Sequence, residues 1–263
     1  MVLLLTGAID IGSFNVPSTT IVDVKERLMQ YINSIDYAIT NYKSISEIVF
    51  CENTEYVFDY SPLKAKALIN SKKLEVISFK GDYASIQRHG KGFGEGEIIK
   101  KALNTSEIMQ HCSVFFKLTG RLVVKNMDQI VAATQSDNSF IYYPKTIYKI
   151  PQDHIETYFY KVDKNLYINH LIDAHKNIDE SRFRYLEHLF YEHLSSIDLQ
   201  SFKFTPLISG YSGTSGNSYE QGKKDMILEK INYLIGVHNL KKTDSQRIMT
   251  GILSFLLKIR RLI

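Results

Sequence analysis

The first eighty residues alternate between strand-like apolar runs and helical stripes, and this alternation constrains the fold more than any other feature. Val2 to Leu5 is a strand candidate. An amphipathic helix follows over 23–42, with Val24, Leu28, Ile32, Ile35 and Ile39 on one stripe. Ile48 to Cys51 is again β-type. Ser61 and Pro62 start a short helix, with the serine as cap and the proline in the first turn. Leu74 to Phe79 is the next strand. Strand, helix, strand, helix, strand predicts an α/β fold with a mostly parallel central sheet and flanking helices.

The pattern continues less regularly. Gly90 to Gly96 opens a helix through Ile98, Ile99, Ala102 and Leu103, and Ser113 to Leu118 is another strand. Phe140 to Tyr143 and Tyr158 to Val162 read as strands, with helices at about 165–178 and 183–196. A Ser/Gly loop over 209–216 precedes two C-terminal helices. We expect a catalytic-type unit over 1–200 and a loop-and-helix appendage over 201–263.

The chain has 263 residues, 44% hydrophobic and 23% charged, which excludes a disordered or fibrous class. No apolar run reaches the roughly 20 residues of a membrane helix. Val2 to Leu5 is too short for a signal-peptide core. Cys51 and Cys112 adjoin apolar runs and read as buried thiols, so a cytoplasmic protein is expected. The formal charge is +4, yet the stretch from Lys241 to Arg261 alone holds six basic residues and one acid. That stretch is +5, which leaves −1 for everything before it. A nucleic-acid protein more often spreads its charge over a broad face, so no nucleic-acid partner is expected.

Three segments can carry chemistry. In Gly90-Lys91-Gly92-Phe93-Gly94-Glu95-Gly96, glycines permit close approach to a ligand, and a helix start favours anions. Lys91 is followed by Gly92, which excludes a Walker A loop, and the position after a third strand fits a dinucleotide fingerprint poorly. In Phe115-Phe116-Lys117-Leu118-Thr119-Gly120-Arg121, two cations and a hydroxyl stand at a strand's carboxyl end, where a phosphate or diphosphate suits them. On the helix Tyr185 to Glu192, Glu187 and His188 lie beside the apolar stripe and either can face a cleft. The pairs His188/Glu192 and His170/Asp173 lack a zinc-enzyme signature. No Asp-x-Asp triplet and no Gly-x-Ser-x-Gly elbow occurs, so kinase and serine-hydrolase readings have little support.

Taken in order, these segments resemble bacterial GT-A-type glycosyltransferases of capsule or lipopolysaccharide biosynthesis. The resemblance runs through Leu3-Leu4-Leu5-Thr6-Gly7, Ile48 to Asn53, Gly90 to Glu95, Phe115 to Arg121, Ile155 to Lys161 and Tyr185 to His188, about the first 200 residues. It implies a nucleotide-sugar donor held by the N-terminal half. Thr6 and Gly7 would sit near the nucleotide, Glu52 and Asn53 near the base or ribose. Lys91, Gly92, Gly94 and Glu95 would line the donor cleft. Where many such enzymes hold a divalent metal with Asp-x-Asp, this chain has Lys117, Thr119, Gly120 and Arg121. The expectation is therefore metal-independent transfer, with Lys117 and Arg121 clamping the diphosphate. The Ile155 stretch has Glu156 and Tyr158 where the family commonly has Asp and Arg. The resemblance makes Glu187 the candidate base, with His188 as runner-up, and the outcome inverting.

The expected reaction moves a hexose, from a UDP-sugar, to a hydroxyl of a growing glycan or lipid-linked glycan. A sugar nucleotidyltransferase and a non-catalytic peripheral membrane adaptor are the competing readings. Finally, 246–263 predicts a helix with Ile248, Ile252, Phe255, Ile259 and Leu262 on one stripe and Lys258, Arg260 and Arg261 at its end. Such a helix suits the anionic inner face of the cytoplasmic membrane, and residues 241–263 are its expected contact; packing on the domain or on a partner is the alternative.

Overall fold

A computed structural model describes residues 1–12, 19–148, 150–213, 215–220 and 222–259. The chain runs β1 (Val2–Gly7), α1 (Val24–Asn41), β2 (Glu47–Glu52), α2 (Ser61–Ile69), β3 (Lys73–Ser78), α3 (Tyr83–His89), α4 (Lys91–Thr105), α5 (Glu107–His111) and β4 (Val114–Thr119). It continues through β5 (Val123–Val124), α6 (Met127–Ala133), β6 (Tyr142–Tyr143), α7 (Lys145–Tyr148), β7 (His154–Ile155), β8 (Phe159–Asp163) and α8 (Lys164–His170). After two 3₁₀ turns come α9 (Leu186–Leu194), β9 (Ile208–Ser209), α10 (Lys223–Leu234) and α11 (Asp244–Ile259).

The central sheet has the order β3-β2-β1-β4-β8. The first four strands are parallel and β8 runs antiparallel on the edge. Side chains alternate across a strand, so Leu3 and Leu5 join Ile35, Ile39 and Phe50 on one face, while Leu4 joins Ile99, Phe115 and Phe190 on the other. Both faces are covered, which is why the strands read as unbroken apolar runs. Chain order departs from β1 in two directions, to β2 and β3 on one side and to β4 on the other. A crevice therefore opens where β1 and β4 end, at Thr6-Gly7 and Thr119-Gly120.

Several expected elements differ. The glycine segment is mostly helix: α4 begins at Lys91, and only Gly90, with φ of 105°, makes the turn. A β-carbon at Gly96 would collide with His175, and one at Gly92 would lie 2.9 Å from Ile178 Cδ1. These glycines let α4 press against the 174–178 turn. The expected helix over 165–178 stops at His170 and resumes as 3₁₀ at Ala174–Asn177, and the one over 183–196 starts at Leu186. Asp179 and Arg184 exchange backbone hydrogen bonds, both 3.0 Å, and this hairpin interrupts the helical pattern. The strand expected over 140–143 shrinks to the Tyr142–Tyr143 pairing with β7.

Residues beyond 200 return to the sheet's carboxyl edge. Strand β9 pairs antiparallel with β5, and Gly210, with φ of 126°, turns the chain back over Arg121. Helix α11 exposes Ile248, Met249 and Ile252, while Thr250 is buried. Arg260 to Ile263 lie outside the described residues.

Candidate active site

A cleft of about 240 Å³ lies beyond the carboxyl ends of β1 and β4. Of the residues expected at the site, Thr6, Gly7, Asn53, Lys91, Gly92, Gly94, Glu95, Thr119, Arg121 and Glu187 line it. Sequence-distant pieces are thus brought together: the ends of β1, β2 and β4, the first turns of α4 and the first turn of α9.

Tight local bonds shape the cleft's rim. Tyr31 Oη accepts the Ala8 N–H at 2.9 Å, and Thr54 Oγ1 accepts the N–H groups of Ile9 and Asp10 at 3.3 and 3.2 Å. Arg27 Nε donates to the carbonyls of Ala8 (2.8 Å) and Ile9 (3.2 Å), and Nη1 to that of Ile21 (2.9 Å). Burial is the main influence lowering the Arg27 pKa, and the charge of Arg121 lowers it too. Two guanidinium charges thus act on one another beside the cleft, and an anion between them relieves that repulsion.

Arg121 is only 9% exposed. Its Nη1 donates to Gln30 Oε1 at 2.9 Å, and its guanidinium lies 6.0 Å from the centre of the Tyr31 ring. Its Nε is buried and has no hydrogen-bond partner among the described residues. A β-carbon at Gly213 would collide with Nη2, the far end of this side chain, so the loop after β9 packs closely on the cation.

Across the cleft, the Thr157 hydroxyl donates to Glu187 Oε1 at 2.8 Å. Glu156, next to Thr157, also lines the cleft. Burial first, and then the Glu187 charge, push its carboxyl up to about 8, so it holds its proton at pH 7.

Four expected residues are placed elsewhere. Lys117 was expected on a diphosphate, but it is 0% exposed and its ammonium is consumed from within. It pairs with Glu95 and donates to the Thr157 carbonyl (2.6 Å) and to Thr119 Oγ1 (3.2 Å). Glu52 lies behind the cleft, and its carboxylate accepts from the Thr54 and Tyr56 N–H groups (2.7 and 3.1 Å) and from Ser78 Oγ. It shapes the β2 exit and has no open oxygen for a base or ribose. Gly120 donates to the Thr6 carbonyl at 2.8 Å, and a β-carbon there would stand 2.7 Å from the same oxygen. His188 Nδ1 accepts the Tyr185 N–H at 3.2 Å, which caps α9 and occupies the nitrogen a base would need; burial lowers its pKa.

The anion site expected at the start of α4 is also taken. The Gly92 N–H donates to Glu180 Oε1 at 3.0 Å, so the chain supplies its own carboxylate there. Arg27 and Glu180 are in none of the segments singled out from the sequence for chemistry, and Glu156 is named there without a role. No local pattern foretells the return of residues 156 and 180 to the first strands. Among the described residues no three His, Cys, Asp or Glu side chains gather as a metal-binding group. The carboxylates of Glu95 and Glu180 are engaged by Lys117 and by the Gly92 N–H.

No family model matches the sequence, and no curated protein does. Among solved structures, the chain is similar to the glycosyltransferase GlyE of Streptococcus pneumoniae at 10% identity and a TM-score of 0.47, covering 76% of this chain and 44% of that one. A Bacillus anthracis protein described as a glucose-1-phosphate thymidylyltransferase gives 11% identity and a TM-score of 0.46, covering 94% and 98%. An active-site mutant of LgtC gives 9% and 0.42, covering 73% and 70%.

Proposed function

We propose that the chain is a glycosyltransferase that moves a sugar, in the first instance a hexose from a UDP-sugar, onto an acceptor hydroxyl. The observation that carries this reading is Arg121: a buried guanidinium nitrogen without a partner among the described residues, at the ends of β1 and β4, in one cleft with Glu187 and Glu156. The guanidinium suits a diphosphate and Glu187 suits the acceptor proton. The acceptor oxygen attacks the anomeric carbon and its proton passes to Glu187. The bond from that carbon to the diphosphate breaks, and the electron pair leaves on the phosphate oxygen, whose charge Arg121 offsets. Attack opposite the leaving group inverts the anomeric centre. No step passes through a metal ion.

The same proposal includes a surface glycan as acceptor and an anionic membrane face as the place where α11 rests. The test of the chemistry is incubation with a panel of nucleotide sugars, each with and without glycan acceptors, read as release of nucleoside diphosphate. Consumption of a nucleoside triphosphate with a sugar phosphate instead would make the chain a nucleotidyltransferase. Silence from every nucleotide, in turnover and in binding, would leave the non-catalytic reading.

A further inference from the structure

A second cavity of about 260 Å³ lies against the first, and Tyr158 and Tyr219 line both. Their rings meet edge to face, 5.5 Å between centres, and form the shared wall. Tyr143 and Tyr233 supply further wall. The four tyrosines come from β6, the approach to β8, the loop after β9 and α10, so the cavity exists only in the assembled fold. Their orientation is fixed from behind. Tyr143 packs on His154 and His238 at 5.3 and 5.0 Å, and Tyr233 on His238 at 4.4 Å.

The polar groups narrow the choice of ligand. Lys125, the only Lys or Arg in the lining among the described residues, is paired with Glu220 at 2.8 Å. Glu229 is also in the lining, its carboxylate bonded to Tyr148 Oη at 3.0 Å and His238 Nε2 at 2.9 Å. A phosphate here would meet carboxylates and no uncommitted cation. A purely apolar ligand would leave the Thr205 hydroxyl unserved: Thr205 is 8% exposed, lines the cavity, and its Oγ1 is buried without a partner among the described residues. A neutral ligand with apolar C–H faces and many hydroxyls answers both conditions, since tyrosine faces attract polarised C–H groups and their hydroxyls exchange hydrogen bonds. The volume is near the roughly 300 Å³ lower bound of small-molecule sites, which suits one ring.

We infer that this second cavity binds a single neutral sugar ring of the acceptor, with the tyrosines as stacking walls and Thr205 as a hydroxyl partner. Its assignment to the acceptor rests on the transfer reading; the sugar binding itself does not. The phenols of Tyr143, Tyr158 and Tyr233 are held far above their ordinary range by burial, so they remain neutral donors at any working pH.

The test is saturation-transfer NMR of the full chain with methyl hexosides, without nucleotide, so that failure of donor chemistry does not obscure it. A hexoside should bind, and Thr205→Val, which keeps the side chain's shape, should weaken it about fivefold or more, the equivalent of one buried hydrogen bond. Tyr233→Ala should abolish the signal, with far-UV circular dichroism and the urea midpoint reporting its fold. UDP binding to both variants should match the parent. Absence of any hexoside signal from the parent, or equal binding by Thr205→Val, overturns the inference, as does preferential binding of an aromatic probe such as phenol. If hexosides bind but no nucleotide sugar turns over, the sugar site stands and the transfer reading falls.

Discussion

Lys117 Nζ donates to the carbonyl oxygen of Thr157 at 2.6 Å, from a side chain that solvent does not reach. This bond joins the middle of β4 to the stretch that carries Glu156 and the Glu187-orienting hydroxyl of Thr157. The lysine also holds Glu95 in the cleft wall. It acts as the bolt beneath the site, and its charge is answered within the protein.

Lys117→Met should therefore cost stability first. Removing one partner of a buried ion pair typically costs about 3–5 kcal/mol, and because Glu95 is partly exposed we expect about 2 kcal/mol here. The urea midpoint should fall, while UDP affinity of the folded fraction changes less than threefold. A variant of parental stability that has lost UDP binding would put the ammonium on the ligand after all.

Arg121→Ala should behave in the opposite way. The fold loses the Gln30 hydrogen bond and the packing on Tyr31, about 1–2 kcal/mol, whereas a preorganised charge lost at the leaving group costs about 3 kcal/mol in the transition state, roughly a hundredfold in rate. Transfer by the parent should persist in excess EDTA. Loss of activity in EDTA with recovery on adding manganese would refute the cation-only arrangement.

For Glu187→Gln we expect turnover to drop by about a hundredfold or more, with nucleotide affinity unchanged. Thr157→Val removes the 2.8 Å bond that aims the carboxylate and should cost about tenfold in turnover, in line with a hydrogen bond to a charged group. Near-normal rates in Glu187→Gln would shift the base to another cleft carboxylate.

Glu156 gives a pH dependence. Its folded pKa of about 8 lies above its ordinary value of 4.5, so the folded state binds the extra proton between those values. Stability from this group is complete below about pH 4.5 and is lost as pH rises towards 8. Glu156→Gln should gain on the parent steadily through that window and hold a constant difference above it. Urea midpoints at intervals from pH 5 to 9 measure this; parallel profiles for the two proteins would show that Glu156 is ionised throughout.

The parallel strands were legible because burial on both faces leaves continuous apolar runs, as in Leu3 to Leu5 and Ile48 to Cys51. The crevice at the ends of β1 and β4 follows from strand order, and so most of the residues expected at the site line it. What could not be read is which polar groups neutralise one another. Lys117 and Arg121 are four residues apart and look alike as cations at a strand end, yet one meets Glu95 and the other finds no partner for its Nε. That difference is set by residues 22 positions or more away in the chain, with no local pattern to announce it. Helices α3 and α6 were also missed, being only seven residues each and lacking an extended apolar stripe.

The last prediction concerns α11. Thr250 is buried and Gly236 packs on Gln246, so removing the whole helix would disturb the fold as well as any membrane contact. Point changes on the outer face avoid this. Ile248 and Ile252 are 63% and 51% exposed, one turn apart, and surface substitutions there usually alter stability by no more than about 0.5 kcal/mol. Arg247 adjoins that stripe and Lys258 lies in the last turn, each worth about 1 kcal/mol near an anionic surface. The parent should sediment with vesicles containing phosphatidylglycerol at low salt, less so at high salt, and hardly with phosphatidylcholine alone. The double variant Ile248→Ser, Ile252→Ser should keep its urea midpoint and lose most of that binding, because insertion of the apolar stripe and attraction of the cations act together. If the parent ignores anionic vesicles at low salt, the membrane contact is wrong. If the double variant unfolds more readily by several kcal/mol, the stripe is covered in solution, and the oligomeric state of the parent becomes the measurement that decides by what.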